Sequence, residues 1–230
     1  MIILITGSRK GIGRRLAEHY LDLGHKVIGC SRSESELEHE NYTHYLADVT
    51  NEKDVKMMLK GVRKEYGHID VLINNAGIAS MNHFLLTPTE TARKVMDTNY
   101  FGTLIMTREA ARLLRKSDHG RVVNFTSVAV ALSLEGESIY LASKAAIEAL
   151  TKVTAKELGQ YEITVNAIGP TPIDTSLIAA VPKEKIASLI DKQAVKRYGE
   201  FEDVINLIDF YIKPESDFIT GQIVYLGGIF

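Results

Sequence analysis

One cysteine occurs in 230 residues, Cys30, so no internal disulfide can staple the chain. That fits a reducing compartment. Charge of one sign is lacking as well: 27 Lys and Arg against 29 Asp and Glu leave a net charge of −2. Such a balance gives no electrostatic footing for nucleic acid or an acidic membrane surface as partner. No apolar run approaches the ~20 residues that a membrane-spanning helix needs. The apolar start Met1-Ile2-Ile3-Leu4-Ile5 stops at Thr6-Gly7. It carries no basic leader and is too short for a signal peptide. His39 and His44 have no cysteine pair near them, so zinc-type ligand spacing is missing too and no metal is expected. No linker, internal repeat or low-complexity stretch interrupts the chain. What is present is ordinary for a globular protein, with 45% hydrophobic and 24% charged residues. The length suffices for a sizeable core. The expectation is a single cytoplasmic domain spanning residues 1–230.

Short apolar runs alternate with longer segments of helical period. Strands are expected at Ile2–Thr6, Lys26–Cys30, Thr43–Ala47, Val71–Asn74, Arg121–Thr126, Thr164–Ile168 and Ile223–Tyr225. Several are apolar throughout, as strands buried on both faces should be. Helices are expected at Ile12–Leu23, Glu52–Tyr66, Glu90–Lys116, Tyr140–Leu158, Lys183–Lys192 and Glu202–Ile212. The first sets Ile12, Leu16, Tyr20 and Leu23 on one stripe, and Gly24 stops it. This alternation predicts an α/β fold, a doubly wound parallel sheet of seven strands with helices on both faces. Between Cys30 and Thr43 the rhythm breaks. That stretch is polar, acidic and short, and it predicts a loop rather than a full helix.

Gly7-Ser8-Arg9-Lys10-Gly11-Ile12-Gly13 follows the first strand and opens the first helix. Glycines let the backbone turn sharply and approach a ligand closely. The helix start offers free N–H groups and a positive dipole end, a seat for a pyrophosphate. The plain alternative is a glycine-rich turn with no ligand; its place between strand and helix favours a dinucleotide. An acid about 20 residues further on normally holds the ribose hydroxyls of NAD. Here Ser31-Arg32 stands there, and an arginine suits the 2′-phosphate of NADP. Lys10 is placed to approach the same phosphate. The competing reading makes Arg32 and Lys10 two solvated surface cations, and Glu34 and Glu36 soften the preference by repulsion. On this reading NADP(H) is favoured over NAD(H).

Tyr140 and Lys144 lie four apart, on one face of a helix. A free tyrosine has a pKa near ~10, too high for easy proton exchange at neutral pH. A neighbouring ammonium should lower it and make the phenol a usable general acid and base. A Tyr-x-x-x-Lys alone is weak evidence. The strand that ends Val123-Asn124-Phe125-Thr126-Ser127 strengthens it, because ligands in open parallel sheets bind beyond the carboxyl ends of strands. Ser127 is thereby placed to hydrogen-bond a substrate oxygen.

With these residues in view, the sequence resembles the short-chain dehydrogenase/reductase family, most closely its 3-oxoacyl-carrier-protein-reductase-like members. The resemblance runs along essentially the whole chain. It is carried by Thr6-Gly7-x-x-x-Gly11-Ile12-Gly13, Asp48-Val49-Thr50, Asn74-Asn75-Ala76-Gly77, Asn99, Ser127 and Tyr140-x-x-x-Lys144. Asn166 to Thr175 and Ile219-Thr220-Gly221-Gln222 complete it. The resemblance implies that Tyr140 exchanges the proton and that Lys144 lowers its pKa and holds the nicotinamide ribose. It implies that Ser127 orients the substrate oxygen and Asn99 positions a water in a proton relay. Asp48 and Val49 would flank the adenine. Asn75, Ala76 and Gly77 would line the cofactor bed. Pro170, Ile173 and Thr175 would contact the nicotinamide end. The family's NADP-preferring members carry basic residues at the Lys10 and Arg32 positions. Two departures stand out. Pro170-Thr171 replaces the usual Pro-Gly, which puts the geometry of that loop in question. The segment after Arg32 is several residues shorter than usual, which trims a helix to a loop.

The expected reaction is NADPH-dependent interconversion of a carbonyl and an alcohol. The substrate pocket is expected from Ile78–Leu86, Val128–Ser138 and Ser176–Val195, with a lid around 175–195. Met81, Phe84, Leu85, Val130, Leu132, Leu134, Leu177 and Ile178 make it mostly apolar, suited to a neutral or lipophilic carbonyl such as a 3-oxoacyl thioester. His83 is read as a rim residue rather than a base. Lys183, Lys185, Lys192 and Lys196 are read as the wet face of a helix, with an anionic carrier as the alternative. Two other functions compete. A non-catalytic dinucleotide sensor would be expected to have lost the tyrosine or lysine. A sugar-nucleotide-modifying enzyme of the extended group needs a larger C-terminal domain than the roughly seventy residues left after the Lys144 helix. The resemblance also implies a homo-oligomer, tetramer or dimer, joined through the two long helices and the C-terminal edge.

Overall fold

The computed structural model describes residues 1–175 and 181–229. Seven parallel strands form one sheet in the order β3-β2-β1-β4-β5-β6-β7. They are β1 (Ile2–Thr6), β2 (Lys26–Ser31), β3 (Tyr42–Leu46), β4 (Val71–Asn74), β5 (Arg121–Phe125), β6 (Thr164–Gly169) and β7 (Ile223–Tyr225). The order reverses between β1 and β4, so a crevice opens where the chain winds in opposite directions.

The alternation of side chains along β1 explains the layers. Leu4 faces one core with Val55, Met58, Leu59 and Val62 of α2 (Glu52–Tyr66) and Met106, Ala110 and Leu113 of α4 (Gly102–Leu114). Ile3 and Ile5 face the other, with Leu16, Ala17 and Tyr20 of α1 (Gly11–Asp22). Val204, Ile208 and Tyr211 of α8 (Phe201–Ile212) close that second layer. Central strands covered on both sides are mostly apolar, and every residue of β4, β5 and β6 is buried.

The expected elements are all present, with boundaries moved by one or two residues. β3 starts and ends one residue earlier than expected, and β5 stops at Phe125. The expected helix over 90–116 is three pieces: α3 (Thr89–Met96), a π turn (Asp97–Phe101) and α4. The α6 helix (Ser138–Gly159) starts two residues before Tyr140, and α7 (Lys183–Lys192) matches its expected span. A short helix after Ser127, α5 (Val128–Leu132), was not expected. Five residues are too few for a helical period to declare itself. Residues 32–41 hold no helix, as their composition predicts; Leu37 alone pins them to the core. Part of the expected lid, with Leu177 and Ile178, lies outside the described residues.

A polar ladder crosses the centre of the sheet. Asn74 Nδ2 on β4 donates to Thr107 Oγ1 of α4 and to Asn124 Oδ1 of β5, each at 2.9 Å. Asn124 Nδ2 donates onward to Thr151 Oγ1 of α6 at 2.9 Å. Asn74, Thr107, Asn124 and Thr151 are all buried. Buried amides hold only where partners are geometrically fixed, so the ladder locks both helices at one height above the strands that carry the site. Asn124→Ala leaves an Asn74 N–H without its acceptor and removes the donor to the Thr151 hydroxyl, which keeps its own bond to the Ile147 carbonyl. We expect it to lower unfolding free energy by about 3 kcal/mol, read by denaturant titration. A change within ~0.5 kcal/mol would remove the ladder from the account.

Candidate active site

The carboxyl ends of β1, β4, β5 and β6 converge on one crevice. At the β1 end the chain turns through Gly7, with φ +68°, and Gly11, with φ +59°, a left-handed conformation that side chains rarely adopt. Gly13 serves space instead. A Cβ there would lie 2.4 Å from Asn75 Nδ2 and 2.5 Å from the Gly7 carbonyl oxygen. The turn is clamped from β4, since Thr6 Oγ1 accepts from the N–H groups of Asn75 and Ala76 at 3.0 and 2.9 Å. Asn75 Nδ2 donates back to the carbonyls of Thr6 and Gly7 at 2.8 and 3.2 Å. No side chain caps the start of α1, so its first N–H groups face the crevice uncommitted.

A cavity of about 490 Å³ runs along this turn. It is lined by Gly7, Arg9, Lys10, Gly11, Ile12, Ser31, Arg32, Asp48, Val49, Asn75, Ala76, Gly77 and Thr175. These residues fit a dinucleotide: glycine turn and helix start for the pyrophosphate, and exposed cations at one end for a further phosphate. Arg9, Lys10 and Arg32 are exposed and make no hydrogen bond or ion pair with any described residue. Glu34 and Glu36 do not line the cavity. Ser8 differs from expectation. It is wholly buried, its hydroxyl pairs with Tyr42 OH at 3.0 Å and its N–H donates to the Cys30 carbonyl at 3.4 Å, so both its donors are committed within the fold. Ser31 Oγ is likewise committed, donating to the Ser33 carbonyl at 2.5 Å.

Ser127, Tyr140 and Lys144 meet in an adjoining cavity of about 590 Å³. Pro170, Ile173 and Thr175 border it on the β6 side. The Lys144 ammonium is buried and donates to the Phe125 carbonyl at 2.8 Å, which ties α6 to the end of β5. It lies 5.8 Å from the centre of the Tyr140 ring. Ser127 caps α5, accepting from Ala129 N–H at 3.2 Å, and hydrogen-bonds the Tyr140 phenol.

Proton affinities here depart from the sequence-based expectation. The phenol of Tyr140 is pushed up to about 12 by burial, with the Ser127 hydrogen bond opposing and the Glu137 carboxylate adding to the rise. Burial lowers Lys144 from 10.5 to about 8. Burial is the largest influence on the phenol, and Lys144 is not among the groups that shift it in this state. At neutral pH the phenol holds its proton and the amine keeps its charge.

Asn99 sits in the π turn, fully buried. Its Nδ2 donates to the Ile78 carbonyl and to Ser143 Oγ, both at 2.9 Å, and its Oδ1 accepts from Ile78 N–H at 2.8 Å. The side chain therefore locks the 77–78 segment against α6. Gly77 is required by this crowding: a Cβ would lie 3.3 Å from Asn99 Oδ1 and 3.6 Å from Lys144 Nζ. Sequence reasoning missed Ser143, Thr6 and the Phe125 carbonyl. A backbone carbonyl leaves no side-chain signal, and a helical serine is unremarkable until its partner is known.

The mostly apolar pocket holds, with charged groups added to its lining. Met81, Ile78, Val128, Leu134 and Leu189 line it, but so do Glu135, Glu137, Glu184, Lys185 and Lys192. Lys185 and Lys192 are pocket residues rather than simply the wet face of α7. Phe84 and Leu85 are 71% and 81% exposed and lie outside the lining, as do Val130 and Leu132. His83 caps the turn at Phe84–Leu86 and does not reach the pocket. Thr171, where the family has glycine, is buried against Gly199; a Cβ on Gly199 would lie 2.7 Å from Thr171 Cγ2. The extra bulk in the loop is met by missing bulk opposite it.

Residues 7–228 match the family described as enoyl-(acyl carrier protein) reductase. The 3-oxoacyl-(acyl-carrier-protein) reductase of Vibrio cholerae is 30% identical, over 99% of this chain and 96% of its own length. Its counterpart in Escherichia coli K12 is also 30% identical, over the same shares. Among solved structures, the ligand-free aldohexose dehydrogenase of Thermoplasma acidophilum is 32% identical with a TM-score of 0.90. That match covers 99% of this chain and 93% of the other. ElxO with NADP bound is 29% identical with a TM-score of 0.89, covering 98% and 96%.

The lysine makes a test of the electrostatics. Above pH 8 the folded protein releases the Lys144 proton, while the unfolded chain keeps it to 10.5. The unfolded state binds more protons in that window, so the cost of burying Lys144 is full below 8 and relieved as pH rises. The stability of the parent relative to Lys144→Met should therefore climb by a few kcal/mol from pH 7 to pH 10. Parallel pH profiles in thermal melts would show that burial does not shift this amine.

Proposed function

The chain belongs to the short-chain dehydrogenase/reductase family of oxidoreductases acting on CH–OH groups, and from that premise we propose that it interconverts a carbonyl and an alcohol with NADP(H). The observation that carries this reading is the meeting of Tyr140, Ser127 and the buried Lys144 at the mouth of the dinucleotide-shaped crevice. The cofactor supplies the hydride in reduction and takes it in oxidation. Tyr140 gives its phenolic proton to the carbonyl oxygen, or takes the alcohol's proton in the reverse direction. Ser127 donates to the same oxygen, where negative charge grows during hydride addition. Lys144 stabilises the phenolate left behind. Asn99 keeps the 77–78 segment and α6 in register, and the second lone pair of its Oδ1 is where a relay water would bond.

At neutral pH the phenol keeps its proton, the form that donates during reduction. For the cofactor, the turn through Gly7, Gly11 and Gly13 and the uncapped start of α1 would seat the pyrophosphate. Arg9, Lys10 and Arg32 would take the 2′-phosphate beside Ser31. Asp48 and Val49 would border the adenine, Asn75 to Gly77 the ribose and nicotinamide bed, and Pro170, Ile173 and Thr175 the nicotinamide. The NADP-bound relative supports the cofactor class. Homo-oligomerisation belongs to the same reading, supported by apolar side chains left in solvent, Phe101 at 47%, Val153 at 53% and Phe218 at 98% exposure.

Tyr140→Phe should cut kcat by roughly 10²–10⁴ while NADPH still binds, measured by cofactor fluorescence and by absorbance. Near-native turnover would remove Tyr140 as the acid. Arg32→Asp should move the ratio of kcat/KM for NADPH over NADH down by at least about tenfold, since it replaces a phosphate partner with a repelling carboxylate. An unchanged ratio would leave Arg32 without a part in cofactor choice.

A further inference from the structure

Three segments meet over the substrate pocket: 78–82, the turn 133–137 and α7. Asn82 N–H donates to the Gly136 carbonyl at 2.8 Å, and Gly136 takes φ +83° to allow it. Lys185 from α7 reaches into this junction. Its Nζ contacts Met81 Sδ at 3.8 Å and lies 3.6 Å from where a Gly136 Cβ would stand. Opposite it is the half-buried carboxylate of Glu137, pushed up by burial and held back by the Lys185 charge. Glu137 stands at the N-cap of α6, three residues before Tyr140 in the chain. Its charge is felt at the Tyr140 phenol.

The two charges face each other without closing. No ion pair within 4 Å joins them, and Glu137 has no side-chain hydrogen bond to any described residue; it starts α6 without capping it. An open site lets water satisfy both groups, but a substrate seated against Tyr140 displaces that water. A hydrocarbon chain in the gap would strand a carboxylate and an ammonium, which is costly. An anionic carrier arm would meet Glu135, Glu137 and Glu184 along with Lys185 and Lys192. A neutral hydroxyl both donates and accepts, so one such group satisfies both partners at once.

We propose that the substrate carries a second hydroxyl near the reacting one, and that Glu137 and Lys185, both lining the pocket, are the specificity-determining pair that reads it. The substrate class is then a polyhydroxylated alcohol or hydroxy-carbonyl compound rather than a lipophilic ketone. Glu137 accepts the hydroxyl proton and Lys185 donates to its oxygen. Lys185, carried by α7, completes the recognition from the side opposite α6. This inference rests on the carbonyl–alcohol reading above and narrows it.

The test compares substrates that differ by one group, with NADP⁺ as oxidant: butane-2,3-diol, butan-2-ol and 3-aminobutan-2-ol, and in the reducing direction a 3-oxobutanoyl thioester with NADPH. The full-length parent should favour the diol over butan-2-ol in kcat/KM by roughly ten- to a hundred-fold, the range of hydrogen bonds to charged groups. Glu137→Gln and Lys185→Met should each bring that ratio down by about tenfold or more. NADPH affinity, read alongside, reports whether each variant is folded, and the second variant carries the test if the first is not. Equal use of diol and mono-alcohol by the parent, or a ratio unmoved in both variants, overturns the inference while the oxidoreductase reading stands. Preference for the amino alcohol or the thioester also overturns it, since the pair would then read a cation or an anionic arm. No turnover of any alcohol or carbonyl, with the cofactor bound, overturns the oxidoreductase reading itself.

Discussion

A buried ammonium held by one backbone carbonyl is the constraint from which the active site follows. Lys144 has left water, and the Phe125 carbonyl is its hydrogen-bond partner among the described residues. That bond fixes the distance between the end of β5 and the start of α6. Ser127 lies just past Phe125 on one side, and Tyr140 lies one helical turn before Lys144 on the other. Fixing the amine therefore fixes the serine and the phenol as well. The same burial that makes the amine informative makes the phenol hard to ionise. Dehydration acts on both groups, raising the phenol's pKa so that its proton is held firmly and lowering the amine's so that its charge is held less firmly than on a free lysine.

Around this bond the protein uses missing atoms as much as present ones. Gly13 lets α1 close on Asn75, and Gly77 lets the 77–78 segment pass between Asn99 and Lys144. Gly199 absorbs the bulk of Thr171, so a loop that departs from its family's pattern still packs. A methyl group at Gly13 would collide with the hydrogen-bonded Asn75 amide and the Gly7 carbonyl, one at Gly199 with the Thr171 methyl, and one at Gly77 would press on Asn99 Oδ1. The π turn belongs to the same economy of space. An extra residue in one helical turn carries Asn99 between Ile78 and Ser143, at a point where a regular helix would aim the side chain elsewhere.

The pocket shows how chemistry and selectivity are divided among elements. The proposed reacting groups sit just past β5 and on α6, whose heights are locked by the ladder from Asn74 to Thr151. Selecting groups sit on the turn 133–137 and on α7, which meet only across the cavity mouth. A rigid floor with a separate rim lets one reaction serve different substrates by changes at the rim alone.

Much of this was legible in the residues. Apolar strands alternating with striped helices set the sheet and its layers, because burial on two faces leaves no other pattern. The glycine turn, the Ser127–Tyr140–Lys144 spacing and the cations at Arg32 and Lys10 are local, and local chemistry reads directly from order in the chain. The reach of Lys185 into the pocket, the burial of Ser8, the π turn under Asn99 and the direction of the Tyr140 shift were not legible. Each depends on which segments, far apart in the chain, come within a few ångströms and exclude water between them. Distance and dehydration are properties of packing, and only the tertiary structure decides them.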